Sequence, residues 1–180
     1  AISSENKRAV LNHQGGTFLN DECARLSTGD NRIEDNATFT NNGIIRESST
    51  SNSNISTNTG VVINNGGGNF TIGTNNGYIG DDELYVWTGC ENSSDTNENL
   101  NWAAWIGTPK VNDEVIIPTN PMGGNIFPVH IYDTWEIGQQ GSLLIEDNAS
   151  FTIQDVSGDG LTNGGQLDVD GLLHITGAKG

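Results

Sequence analysis

The sequence predicts an all-β chain, specifically a right-handed parallel β-helix of about eight rungs. Three observations lead there. Helix signals are nearly absent, because Asn, Gly and Thr dominate and few segments place apolar residues at i, i+3 and i+4. Apolar residues come instead in pairs spaced by two, each pair bounded by Gly, Asn or Asp, which accept positive φ or cap a turn with their own side chains. The pairs also return at an interval of roughly 22 to 24 residues, the length of one coil of a three-sided helix.

Taken in order, the N-terminal half repeats a small motif. Phe18-Leu19-Asn20-Asp21 is followed by Phe39-Thr40-Asn41-Asn42-Gly43, then by Val62-Ile63-Asn64-Asn65-Gly66, with Leu84/Val86 one interval further on. The C-terminal part carries Val129/Ile131, Trp135/Ile137, Leu143/Ile145, Phe151/Ile153, Leu167/Val169 and Leu173/Ile175. Here Leu143/Ile145 maps onto Leu167/Val169 and Phe151/Ile153 onto Leu173/Ile175, while Leu161-Thr162-Asn163-Gly164-Gly165 reads as a late copy of the N-terminal motif. The stretch around Trp87, Asn101-Trp102 and Trp105 breaks the rhythm. The expected organisation is therefore N-terminal rungs over 1–86, a Trp-containing excursion or cap over 87–112, and C-terminal rungs over 113–180.

An antiparallel β-sandwich is the alternative. Asn42-Gly43, Asn65-Gly66 and Asn76-Gly77 offer hairpin turns. The apolar runs, however, place only two residues inward, against the roughly 5–6 residues of a usual sandwich strand. Stacking also accounts for the Asn content. Equal positions in successive coils lie about 4.8 Å apart, so inward Asn side chains can hydrogen-bond up and down as ladders.

Composition and charge exclude several functions. Hydrophobic residues make up 33% of the 180, too few for a rounded core but enough for a thin one. Seven basic residues against 23 acidic ones give a net charge of −16, which repels phosphate backbones and anionic lipid. No apolar run approaches the ~18 residues needed to cross a bilayer, so neither nucleic acid nor membrane insertion is expected. The two cysteines, Cys23 and Cys90, are too few and too far apart for a metal knuckle. A disulfide between them suits an oxidising location, and two buried free thiols are the other reading.

The excursion and its sequel resemble a module of large secreted surface proteins of Bacteroidota. The residues are Trp87-Thr88-Gly89, Asn101-Trp102, Gly107-Thr108-Pro109, Asp113, Val115 and Ile117-Pro118, followed by pairs such as Leu143-Leu144-Ile145 and Gly165-Gln166-Leu167-Asp168-Val169. The resemblance implies export, often by the type IX route, and a role as adhesin, gliding-associated filament or matrix component. One departure is that many such modules carry a further Trp in the loop, where this chain has Ser94-Asp95-Thr96-Asn97.

Catalytic patterns are thin. Asp168 and Asp170 share a strand face, but no basic or aromatic cluster accompanies them, and a solvated acidic face explains them. His13, His130 and His174 show no zinc spacing. No catalytic residue is assigned and no enzyme is expected. Asp155-Val156-Ser157-Gly158-Asp159-Gly160 matches the opening of a calcium loop, making Asp155, Ser157 and Asp159 candidate Ca²⁺ ligands. Gln166 stands where the bidentate Glu belongs, and a plain turn explains the segment equally well. Trp87, Trp102, Trp105 and Trp135 could form a sugar-stacking platform, with Trp102 and Trp105 as the candidate glycan contacts and core packing as the competing role.

The expected function is an extracellular or cell-surface structural or adhesive element without a required cofactor. Its partners would be neighbouring solenoid segments, copies of itself and surface glycans. A carbohydrate-binding or polysaccharide-processing β-helix is the alternative.

Overall fold

The computed structural model describes residues 8–12, 15–28, 30–33, 37–47, 52–64, 69–104, 107–154 and 160–176. The chain is all-β with parallel sheets. Every pairing between its named strands is parallel. The antiparallel sandwich is therefore not what the described strands form. Parallel partners cannot be joined by a tight hairpin, and the paired strands are accordingly far apart in sequence. Two compact units divide the chain, Ala1–Asp82 and Glu83–Gly180. The residues of the 87–112 excursion fall within the second unit.

The first unit contains β1 (Arg8–Asn12), β2 (Thr17–Asn20), β3 (Arg25–Thr28), β4 (Asp30–Ile33), β5 (Thr38–Asn41), β6 (Ile44–Glu47), β7 (Asn52–Asn58), β8 (Val61–Asn64), β9 (Asn69–Asn75) and β10 (Tyr78–Gly80). They pair as β1-β4, β2-β5-β7-β9 and β10-β8-β6-β3. Alternation within each strand sends every second residue inward, and parallel register then stacks like on like. Phe18 lies over Phe39 edge-to-face at 4.9 Å, Leu26 over Ile45 and Ile45 over Val62. Leu26, Phe39, Ile45, Ile55 and Val62 form one buried cluster, closed by Phe18 and Ile72.

Next to these apolar columns runs a polar one. Asn20, Asn41 and Asn58 are buried, and Asn75 follows at the exposed end. Asn20 Nδ2 donates to Asn41 Oδ1, Asn41 Nδ2 to Asn58 Oδ1, and Asn58 Nδ2 to Asn75 Oδ1, each at 2.7 Å. An amide holds both a donor and an acceptor, so a column of them satisfies itself from layer to layer. The first step spans 21 residues and the next two span 17.

The second unit contains β11 (Leu84–Val86), β12 (Glu114–Ile117), β13 (Val129–His130), β14 (Trp135–Ile137), β15 (Ser142–Ile145), β16 (Ser150–Ile153), β17 (Leu161–Asn163), β18 (Gln166–Val169) and β19 (Leu172–Ile175). Its sheets run β11-β12-β15-β18, β13-β16-β19 and β14-β17. Tyr85, Val115, Leu143 and Leu167 are successive register partners, as are Ile117, Ile145 and Val169. The mappings Leu143/Ile145 onto Leu167/Val169 and Phe151/Ile153 onto Leu173/Ile175 hold residue for residue. Two other expected repeats do not. Val61–Asn64 pairs with Ile44–Glu47 and not with the Phe39 strand, and Leu161–Asn163 pairs with Trp135–Ile137.

Both units turn a corner in the same way. Ala24 N donates to Asp21 O and Ala149 N to Glu146 O, each at 3.0 Å, with Cys23 and Asn148 at φ 59°. A glycine of the next layer lies against each turn. A methyl on Gly43 would run into the carbonyl oxygens of Asp21 and Ala24, and one on Gly171 into those of Glu146 and Ala149. Backbone carbonyls cannot swing away as a flexible side chain can. Gly43→Ala is therefore expected to lower stability by about 1–3 kcal/mol, as overpacking does, with the change read by urea denaturation.

Candidate functional site

The Trp-rich excursion folds as a clasp. Trp87 and Trp102 form an antiparallel bridge and pack edge-on at 5.0 Å, both fully buried. Buried indoles need partners for their N–H groups. Trp87 Nε1 donates to Ile126 O at 2.7 Å, and Trp102 Nε1 to Thr96 O at 2.8 Å. Asn101, also fully buried, gathers the intervening loop: its Oδ1 accepts from Glu91 N at 3.0 Å, and its Nδ2 donates to Ser93 O at 3.0 Å. The Trp87-Thr88-Gly89 and Asn101-Trp102 residues thus act together, with Thr88 Oγ1 donating to Asn101 O at 2.8 Å.

Segment 93–97, held in this way, lies along the sheet that begins with β13. Val129 N donates to Ser94 O at 2.7 Å, and Asp95 bridges Val129 in parallel. His130 is the consequence. It occupies the register position filled by Ile153 and Ile175 in the next two layers, so its ring is carried inward and is only 6% exposed. A buried imidazole must satisfy both nitrogens. Nε2 donates to Asp133 Oδ1 at 2.9 Å, and Nδ1 shares a hydrogen bond with the Thr96 hydroxyl at 2.8 Å. Tyr132 and Trp135 pack edge-on against the ring at 5.8 and 5.1 Å.

A cleft of about 530 Å³ opens beside this group, lined by residues including Asn97, Lys110, Asp133, Trp135 and Glu136. Trp135 is half-buried. Its ring is stacked on Trp102 at 6.5 Å and meets Phe151 edge-on at 4.9 Å. Close by, Tyr132 Oη donates to Asp95 Oδ2 at 2.7 Å. That bond, with a smaller contribution from desolvation and from the Asp95 charge, raises the phenol above its ordinary value of 10.0. The neutral phenol is the form favoured in the fold. Its contribution to stability is thus complete below the ordinary value and disappears as pH climbs through the raised one. Phenolate absorbance of the wild type minus that of Tyr132→Phe is expected to show a group titrating later than free tyrosine.

Thr96, His130 and Asp133 contain the parts of a hydroxyl–imidazole–carboxylate relay in an order unsuited to hydrolysis. The hydroxyl that would attack is 1% exposed, whereas the Asp133 side chain is 80% exposed. A nucleophile must meet substrate, and the group that orients the imidazole is normally the enclosed one. The three residues serve to hold the excursion against β13 and to fix the Asp133 carboxylate at the cleft.

Of the residues singled out from sequence, Trp102 is a core residue: with no exposed surface it offers no face to a sugar. Trp105 lies outside the described residues, and so do the calcium candidates Asp155, Ser157 and Asp159. Among the described residues no group of three or more His, Cys, Asp or Glu is placed to hold a metal. Cys23 and Cys90 are each disulfide-bonded. Asp168 and Asp170 are exposed. No helix among the described residues is long and apolar enough to cross a membrane. Sequence reasoning singled out Trp135 but missed the cleft around it; the signal was a His at an inward strand position followed at i+3 by Asp133, then by Trp135.

No family model matches the chain, and no curated protein or solved structure matches it significantly.

Proposed function

We propose that the protein is an extracellular structural or adhesive element of a cell surface, a stalk, filament or adhesin segment. In this reading the strands of each unit are coils of a right-handed parallel β-helix. Parallel crossovers are right-handed in nearly all known sheets, which supports the hand. The observation that carries the reading is the layered register, in which Phe lies on Phe, Ile on Ile and Asn on Asn through successive strands. Such layers invest the sequence in self-stacking and devote few residues to chemistry. The disulfide supports an oxidising location, and the charge of −16 keeps an exposed surface soluble. The resemblance of the Trp87-Thr88-Gly89 and Asn101-Trp102 module to secreted Bacteroidota surface proteins points the same way. Neighbouring solenoid segments or further copies of the chain are the proposed partners. Antibodies against the purified chain, applied to intact cells of its source, test the reading. Surface labelling without permeabilisation is expected, on stalks or fibres by electron microscopy. Labelling that requires lysis would contradict it.

A further inference from the structure

We propose that the cleft beside Trp135 binds a neutral saccharide, an inference that deepens the adhesive half of the function above and rests on it. The site combines three things sugar recognition needs. The first is an aromatic surface: Trp135 lines the cleft and its ring is packed against Trp102, His130 and Phe151, so little freedom is lost on binding. The electron-rich indole face suits the weakly positive C–H face of a pyranose. The second is a set of acceptors for hydroxyl protons. Asp133 and Glu136 both line the cleft and both are exposed, and Asp133 is already aimed by His130, whose Nε2–H takes one oxygen and leaves the other for a ligand. The third is a small number of donors, supplied by Asn97 and Lys110.

Size and charge narrow the ligand. About 530 Å³ lies within the range of small-molecule sites and suits one or two sugar rings. Two carboxylates against one Lys, in a chain of charge −16, disfavour uronic, sialylated or sulfated sugars. A cationic peptide would meet the same carboxylates, but Lys110 lines the cleft beside them and would repel it. The saccharide is favoured for that reason.

The full chain should be tested on an array of neutral and acidic oligosaccharides with a Lys-rich peptide as control, followed by titration of each hit in ¹⁵N–¹H spectra. A neutral oligosaccharide is expected to bind and to shift the Trp135 indole N–H while leaving that of the buried Trp87 in place. Glu136→Ala and Asp133→Ala, both at exposed side chains, are expected to weaken binding about tenfold or more, the loss of one hydrogen bond to a charged acceptor. Should either variant fail to fold, the wild-type indole shift still decides. Silence across the array, binding that both variants leave unchanged, or binding only of acidic sugars or of the Lys-rich peptide would overturn the proposal. Those outcomes leave the surface labelling of intact cells untouched, so the two proposals fail separately.

Discussion

Replacing Asn41 with Ala is expected to lower the unfolding free energy by roughly 2–6 kcal/mol, because it strands two buried amide groups at about 1–3 kcal/mol each. Asn41 has no exposed surface, accepts from Asn20 Nδ2 and donates to Asn58 Oδ1. With the amide gone, Asn58 Oδ1 faces a methyl group, and Asn20 Nδ2 keeps only longer contacts to Ala24 O and Ile44 O at 3.4 Å. Asn41→Asp separates the two halves of the role: the carboxylate still accepts from Asn20 but opposes Asn58 Oδ1 with an oxygen, so it should be at least as damaging at neutral pH. Asn75→Ala removes a ladder member at an exposed position, where water replaces the lost partner, and should cost less than about 1 kcal/mol. Urea denaturation followed by circular dichroism gives the three values. Equal costs at positions 41 and 75 would mean that the column is ornamental.

Trp102→Ala is expected to destabilise by about 3–5 kcal/mol, the range for deleting a large buried aromatic. The indole touches Tyr85, Trp87 and Trp135, and its N–H is the partner of the Thr96 carbonyl. Trp102→Phe keeps part of the packing and loses the hydrogen bond, so an intermediate cost is expected. Because Thr96 also supplies the hydroxyl to His130, loss of Trp102 should loosen the cleft as well as the core. All four tryptophans lie within Glu83–Gly180, so fluorescence-detected unfolding reports on this unit. A midpoint unchanged by Trp102→Ala would contradict the clasp described here.

Much of the fold was legible because β-strands leave a period-2 trace wherever both inward residues are apolar. Leu143/Ile145 and Phe151/Ile153 found their partners on that trace alone. The N-terminal unit was harder, since its layers are marked by a polar residue. Asn41-Asn42-Gly43, Asn58-Thr59-Gly60 and Asn75-Asn76-Gly77 recur at the 17-residue spacing of the ladder. Asn64-Asn65-Gly66, similar in letters, starts from a different sheet, and reading it as the repeat placed Val62 and Ile63 on the wrong strand. The cleft was less legible still. Thr96 and Lys110 reach it from the excursion and His130 to Glu136 from the β13–β14 region, a meeting held by the bridge between Asp95 and Val129 together with the Thr96–His130 and Tyr132–Asp95 hydrogen bonds. No local spacing encodes such a closure.

Parallel layering is the claim on which function and cleft both depend, and cross-strand nuclear Overhauser effects test it most directly. Parallel and antiparallel ladders place different backbone protons face to face. The account predicts amide-to-Hα contacts linking the Phe151 strand with the Leu173 strand, and the Leu143 strand with the Leu167 strand, in ascending order on both sides. Strong Hα-to-Hα contacts between those strands, ascending on one and descending on the other, would contradict it.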